Sequence, residues 1–252
     1  EWSAPEIDGL LANANLIFSA GAGFGIDTSS GNFTYGTAIT NNNMGLAKLG
    51  GNSLTLTNAS TFAGGLSIRG GTNLLDFTSL ATPTDLVSSN NTLTLGPGSL
   101  KLKGSSAGST SQTFTNMTLV AGGGQILIDP NGGTDTSLNL GAMAATTTGS
   151  SLLIGRAGAG TAVITMTGDK DATGIYGGRI VFTPDSGTTV DWATTVSTGP
   201  AYALSAYEAY ETVEANWTNQ VTAVNLSLTT APSSALNNTT INSLKLGGST
   251  VY

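Results

Sequence analysis

Short runs in which apolar and polar residues alternate recur along this chain, each bounded by Gly, Asn or Ser. Leu54-Thr55-Leu56, Leu66-Ser67-Ile68, Leu100-Lys101-Leu102, Ile126-Leu127-Ile128, Leu152-Leu153-Ile154 and Ile180-Val181-Phe182 are the clearest. Alternation with a period of two puts one set of side chains on one face of a strand. It predicts that Leu54, Leu56, Leu66, Ile68, Leu93, Leu95, Leu100, Leu102, Ile126, Ile128, Leu152, Ile154, Ile180 and Phe182 point inward. The Gly and Asn between the runs tolerate the left-handed backbone that sharp corners require.

The runs belong to a repeat. Asn-[Ser/Thr]-Leu-x-Leu stands at 52–56, 91–95 and 242–246, with a looser copy at 137–140. Successive runs begin at Leu66, Leu100, Ile126, Leu152 and Ile180, a nearly constant spacing after a longer first interval. Residues 76–89, DFTSLATPTDLVSS, read as an insertion in that long interval. A unit of two or three short strands cannot bury its apolar face alone, but stacked units build a continuous core. The expected fold is all-β, a right-handed parallel β-helix. At one unit per turn it makes about ten turns and a column about 50 Å long. A β-sandwich also has short strands at regular spacing, but its strands need not resemble one another as these units do. The whole of 1–252 reads as one solenoid domain.

Composition narrows what such a column can do. Of the 252 residues, 39% are hydrophobic and only 9% are charged, with a net charge of −7. The apolar content is that of a folded chain, carried under a surface of Thr, Ser and Asn. The few basic residues are scattered, which argues against a nucleic-acid partner. No apolar run is long enough to span a membrane as a helix. There is no Cys and no His, so disulfides, thiolate catalysis and the commonest general base and metal ligand are all excluded. The chain begins at Glu1, without a Met or a visible signal peptide, and reads as a processed or partial chain.

Residues 45–75, GLAKLGGNSLTLTNASTFAGGLSIRGGTNLL, resemble the autotransporter-associated β-strand repeat. Leu46, Lys48, Leu54, Leu56, Phe62, Gly64, Gly65, Ile68, Gly70 and Leu74 fill its pattern, with small shifts in spacing, Phe62 for the usual Tyr, and Ala59-Ser60 where the family has Asn before Thr-Tyr. The other units resemble it only as degenerate copies. The resemblance implies a secreted β-helical passenger or bacterial surface fibre, located outside the cell. It specifies an architecture, not an activity.

Two segments break the pattern. In 198–217, TGPAYALSAYEAYETVEANW, Tyr202, Tyr207, Tyr210 and Trp217 recur with Ala206 and Val213 mostly every three or four residues. That spacing predicts an amphipathic helix near 200–214, inserted between turns. Residues 1–10 carry Trp2, Ile7 and Leu10 with little repeat pattern and read as an arm or cap.

Candidate chemistry is sparse, and no cofactor is expected. Asp129, Asn131 and Asp135 have a D-x-N-G spacing that can offer oxygens to Ca²⁺, but they lack the terminal Glu of a dedicated loop, and an Asn-Gly turn is the simpler reading. Asp169 and Asp171, in TGDKDATG, are the best carboxylate pair for acid–base work, as in a β-helical polysaccharide lyase or hydrolase. A third acidic residue or a nearby Arg would be needed, and a solvated turn is the simpler reading. The Gly-rich stretch 155–162 lacks the Lys-Ser/Thr of a phosphate loop and reads as a corner. Trp192, Trp217 and Tyr202 are of the type that stacks on sugar rings of a cell-surface glycan.

The expected function is therefore structural: a non-enzymatic protein of a bacterial cell-surface fibre, layer or matrix. A solenoid ends in unpaired strands that template addition, so its expected partner is a copy of itself, joined head to tail in a filament. Trp2, Tyr207, Tyr210, Trp217, Val251 and Tyr252 are the candidate contacts. An adhesin or glycan-binding module is the alternative, and an enzyme on polysaccharide the second alternative.

Overall fold

The structure is a computed structural model and describes residues 2–168, 170–184, 189–195, 202–213, 216, 223–229, 231, 233 and 239–247; of 144, 145 and 202 it describes the backbone alone. Parallel coils stack into a three-sided β-solenoid. The first face stacks β1 (Ala22–Asp27), β3 (Met44–Leu49), β5 (Leu66–Ile68), β7 (Leu93–Leu95) and β10 (Asn116–Leu119). The second stacks β2 (Phe33–Tyr35), β4 (Ser53–Leu56), β6 (Thr72–Asp76), β8 (Ser99–Lys103), β11 (Gly122–Asp129), β13 (Ser150–Arg156) and β15 (Ile180–Thr183). The third comprises β9 (Thr110–Thr113), β12 (Thr136–Thr146) and β14 (Ala162–Thr167), with single bridges from Ser60 to Val87 and from Thr84 to Ser111. β12 turns the corner and continues along β10.

All fourteen residues expected inside are buried, none more than 3% exposed. Registered partners point the same way, so the core consists of columns running along the axis. One is Phe24, Leu46, Leu66, Leu93, Met117 and Met143; another is Phe33, Leu54, Asn73, Leu100, Ile126, Ile154 and Phe182. The Asn of the repeat motif ties one coil to the one before. Asn52 Nδ2 donates to Thr28 O at 2.7 Å, and Asn91 Nδ2 to Phe62 O at 2.6 Å while its Oδ1 accepts Gly65 N–H.

Two corners show why glycine is needed. Gly141 sits at φ +63°, and a Cβ there would lie 1.9 Å from Thr115 O. Gly45 and Gly64 face each other across two coils so closely that a Cβ on either would meet the other's backbone at 2.6 Å or less. Only a residue without a Cβ lets the coils approach to strand spacing here.

Two inward positions carry charge or amide. Lys48 stands in the column between Ile26 and Ile68 and is fully buried. Its ammonium donates to the carbonyls of Leu49, Gly50 and Gly70 at 2.7, 2.8 and 3.0 Å, using all three protons. Burial pulls its pKa below the ordinary value, with Asp27 opposing. Asn73, also fully buried, has no hydrogen-bond partner among the described residues for either its amide nitrogen or its carbonyl oxygen.

Three expectations are corrected. The ladder makes about six turns rather than ten. It starts only at Ala22, and after β15 the chain reverses: β16 (Asp191–Thr195) runs antiparallel on β15, and β17 (Tyr202–Ala206) antiparallel on β14 and β16. The segment expected as a helix near 200–214 therefore starts as a strand, and its described residues, 202–213, contain no helix. The free edge of β14 pairs with Thr165 against Ala203 and Met166 against Tyr202, and a paired edge outweighs a short helix that makes no such bonds. Finally, residues 76–89 are no insertion. Leu66 registers with Leu93 rather than with Leu100, and Leu86 and Val87 are core residues of the third side. The long interval from Leu66 to Leu100 compared strands on two different faces.

Candidate functional site

The ends of the column are where its chemistry is least closed. At the first coil, α1 (Ala4–Leu11) lies against the core. The helix starts at Ser3, whose backbone N and Oγ both donate to the Glu6 carboxylate at 2.8 and 2.7 Å. Ile7 is buried. Asp8 accepts from Tyr35 Oη at 2.6 Å and Thr37 Oγ1 at 3.0 Å, tying helix to coil. Burial, and then the Asp8 carboxylate, push the Tyr35 hydroxyl well above its ordinary pKa. Beside the helix a groove of about 490 Å³ is lined by Trp2, Ile7, Leu10, Phe24, Ile26 and Phe33. Trp2 is 64% exposed. Among the described residues β1 and β2 each pair with a later strand only.

At the other end a separate parallel pair, β18 (Val224–Leu228) and β19 (Ile241–Leu246), carries the last copy of the Asn-Ser-Leu-x-Leu motif. Asn242 Nδ2 donates to the side chains Asn225 Oδ1 at 3.0 Å and Thr173 Oγ1 at 2.7 Å, where Asn52 and Asn91 donate to backbone carbonyls. The two leucines differ from the earlier copies. Leu54, Leu56, Leu93 and Leu95 are at most 2% exposed, whereas Leu244 is 43% and Leu246 61% exposed, with Ile241 beside them at 39%. Their registered partners Leu226 and Leu228 are buried. Among the described residues β19 has β18 as its only strand partner.

A polar knot holds this pair to the solenoid. Asp191 accepts from Tyr210 Oη and forms an ion pair with Lys245. Lys245 Nζ also sits 5.4 Å from the Tyr210 ring centroid. Tyr207 meets Tyr210 edge-on at 4.9 Å and donates to Ala209 O at 2.8 Å. Burial, and then Asp191, push Tyr210 well above its ordinary pKa. Sequence reasoning singled out both tyrosines as contacts between subunits. The structure turns both inward, Tyr207 only 8% exposed. Their partners Asp191 and Lys245 were missed, because they lie far apart in the chain and share no pattern.

Of the remaining candidates, Trp2 is exposed at the first coil, whereas Trp217, Val251, Tyr252 and Asp169 lie outside the described residues. Tyr202 is in β17, and its side chain is not described. Trp192, half-buried in β16, lines a groove of about 750 Å³ on the outer flank, with Ser99, Gln125, Ser151 and Arg179 from successive coils. Asp129 Oδ1 accepts the Asn131 N–H at 2.8 Å, Asn131 Nδ2 donates to Gly104 O, and Asp135 accepts from Thr161. These are the bonds of a turn and a coil contact. Among the described residues no group of three His, Cys, Asp or Glu is placed to hold a metal ion. Asp171 organises its own turn. Burial works against its charge, but bonds from Thr173 Oγ1 and the amides of Thr173, Ile175 and Gly174 hold its pKa below the ordinary 3.8. A carboxylate kept ionised in this way is a poor proton donor.

Stacked parallel coils, axial core columns and a helix on the first coil define a β-solenoid repeat protein. No family model, no curated protein and no solved structure matches the chain.

Proposed function

We propose that the chain is a structural, non-enzymatic β-solenoid of a bacterial cell-surface fibre, layer or matrix, and that it associates with copies of itself through the ends of its column. The observation that carries this is β19, whose Leu244 and Leu246 stand in solvent although the same motif buries its leucines twice earlier in the chain. An exposed parallel edge with an apolar face accepts a further strand by β-augmentation. The groove beside Trp2, next to the edge of β1, is the complementary end. Joining the two is heterologous, so it propagates head to tail. The resemblance of residues 45–75 to the autotransporter-associated repeat supports the extracellular setting. The absence of His and Cys, together with the commitment of Asp171 to its turn, supports a non-catalytic role.

Sedimentation and mass photometry across a concentration series test it. The expected result is concentration-dependent oligomers in the parent protein and a monomer in Leu244→Lys/Leu246→Lys. A monomer at every concentration overturns the reading.

A second reading, a glycan-binding passenger, rests on the flank groove. One aromatic ring beside a row of hydroxyl and amide groups is suited to a sugar chain. Quenching of Trp fluorescence by surface polysaccharide, lost in Trp192→Ala, is its signature; unchanged quenching in that variant refutes it.

A further inference from the structure

Along the second face one inward column reads Tyr35, Leu56, Leu75, Leu102 and Ile128, coil after coil, each at most 2% exposed. The next residue in register is Arg156. A guanidinium thus occupies a position that the preceding coils fill with apolar side chains. Lys48 is the other cation in a core column, and the contrast between them is informative. Lys48 donates to three backbone carbonyls. Arg156 donates from Nη1 to Ala162 O at 3.2 Å, but its Nε is buried without a partner among the described residues.

Arg156 does not face a closed core. It lines a cavity of about 590 Å³ at the last full coil, between β13, β14, β15 and β17. Ile164, Phe182 and Leu204 provide apolar walls, Tyr207 an aromatic edge, and Lys170 a second cation. Two of the chain's eight basic residues thus line one cavity in a protein of net charge −7, Arg156 inside it and Lys170 exposed at its rim, where Nζ donates to Thr195 O at 3.5 Å. The one carboxylate among the described lining residues, Glu208, is exposed at the rim. A buried guanidinium donor is costly unless something accepts from it, and arginine's planar fork matches a carboxylate.

We propose that this cavity is a binding site for a sugar acid. The carboxylate is held by Arg156 and Lys170, and the ring lies beside Ile164, Phe182 and Leu204 with its hydroxyls toward Ser205, whose buried Oγ has no partner among the described residues. The volume accommodates a ligand of one or two sugar rings, and the apolar walls favour an acid carried on a ring over a bare inorganic anion. The cavity shares Tyr207 with the joint that holds β19, but its ligand groups are on β13 and the turn after β14, so binding is read at Arg156 in a protein that does not self-associate.

The chain has only three arginines, Arg69, Arg156 and Arg179, so the Nε–Hε signal of each is separable by ¹⁵N NMR. The test titrates the Leu244→Lys/Leu246→Lys protein with glucuronate, galacturonate, neutral glucose and inorganic sulfate. The expected result is a saturable shift of the Arg156 Nε–Hε signal with a uronate, none with glucose, and a weaker one with sulfate. In Arg156→Leu, which restores the aliphatic column, affinity falls about tenfold or more while the melting temperature holds or rises. No saturable uronate shift overturns the proposal, and so does an equal response to glucose. Sulfate binding as tightly as a uronate removes the sugar from it. A melting temperature that drops sharply in Arg156→Leu makes the arginine a structural strut instead.

Discussion

Asn73 lies between Leu54 and Leu100 in a core column, fully buried, with neither its amide nitrogen nor its carbonyl oxygen hydrogen-bonded among the described residues. Replacing it by Leu tests whether this solenoid tolerates a polar residue at a cost. Leu and Asn branch at the same carbon and carry the same number of side-chain heavy atoms, so Leu continues the column. A buried unsatisfied polar group costs about 1–3 kcal/mol, and this residue has two. Against that, methyl groups are bulkier than the amide, and overpacking costs about 1–3 kcal/mol where the surroundings cannot yield. The expected balance for Asn73→Leu is a gain of about 1–3 kcal/mol, which for a chain of this size raises Tm by about 2–4 °C per kcal/mol. Differential scanning calorimetry of the Leu244→Lys/Leu246→Lys background, without self-association, gives the comparison. Leu100→Ala is the control, and it should lose about 2–5 kcal/mol. If Asn73→Leu melts lower than the parent while Leu100→Ala behaves as expected, the amide is hydrogen-bonded in solution and the reasoning fails.

Gly141→Ala forces a left-handed Ala, costing about 1–2 kcal/mol, and drives its Cβ into Thr115 O; an unchanged Tm would show that the corner can re-form without glycine. Lys48→Met strips the Leu49, Gly50 and Gly70 carbonyls of their donor inside the core and should lower stability by at least about 1–3 kcal/mol in urea unfolding, whereas a neutral result would mean the carbonyls find other donors. Asp171 has its folded pKa below the ordinary 3.8. The folded state therefore takes up its proton later than the unfolded state as pH falls. Its contribution is present in full above about pH 4 and is lost as pH drops through the folded value, so Asp171→Asn should reduce the acid dependence of Tm below pH 4 and leave a parallel, lower curve above it.

The period-two runs made the core legible because each inward residue is fixed by its own strand, and Leu54 or Ile126 needs no distant partner to be assigned a side. What lay beyond the sequence depends on contacts between coils. Lys48 alternates correctly with Leu46, yet only the carbonyls of a neighbouring glycine corner make an inward ammonium tolerable. Arg156 is polar at the end of an apolar run, and nothing local distinguishes it from a residue turning out to water. The 202–210 segment failed for the opposite reason: its aromatics fall at helical spacing, but the open edge of β14, a full coil earlier in the chain, decided its conformation. The assembly candidates divided similarly. Trp2 is exposed, whereas Tyr207 and Tyr210 are committed by Asp191 and Lys245 to an internal joint.

The reversal after β15 also bears on how such a molecule can change length. Each inner coil touches only the one before and the one after, through matching columns and equivalent corners, so a duplicated coil would meet the same surfaces its template met. The two boundaries lack that freedom. α1 is fitted to the first coil through Asp8, Tyr35 and Thr37, and the antiparallel strands β16 and β17 take up the last coil's edges in a direction that no further parallel coil can copy. Genetically, then, the middle is a counter and the boundaries are its stops. Ile126 registers with Ile154, so duplication or loss of the stretch from Ile126 to Leu153 should change the reach of the column and leave its two terminal chemistries as they were.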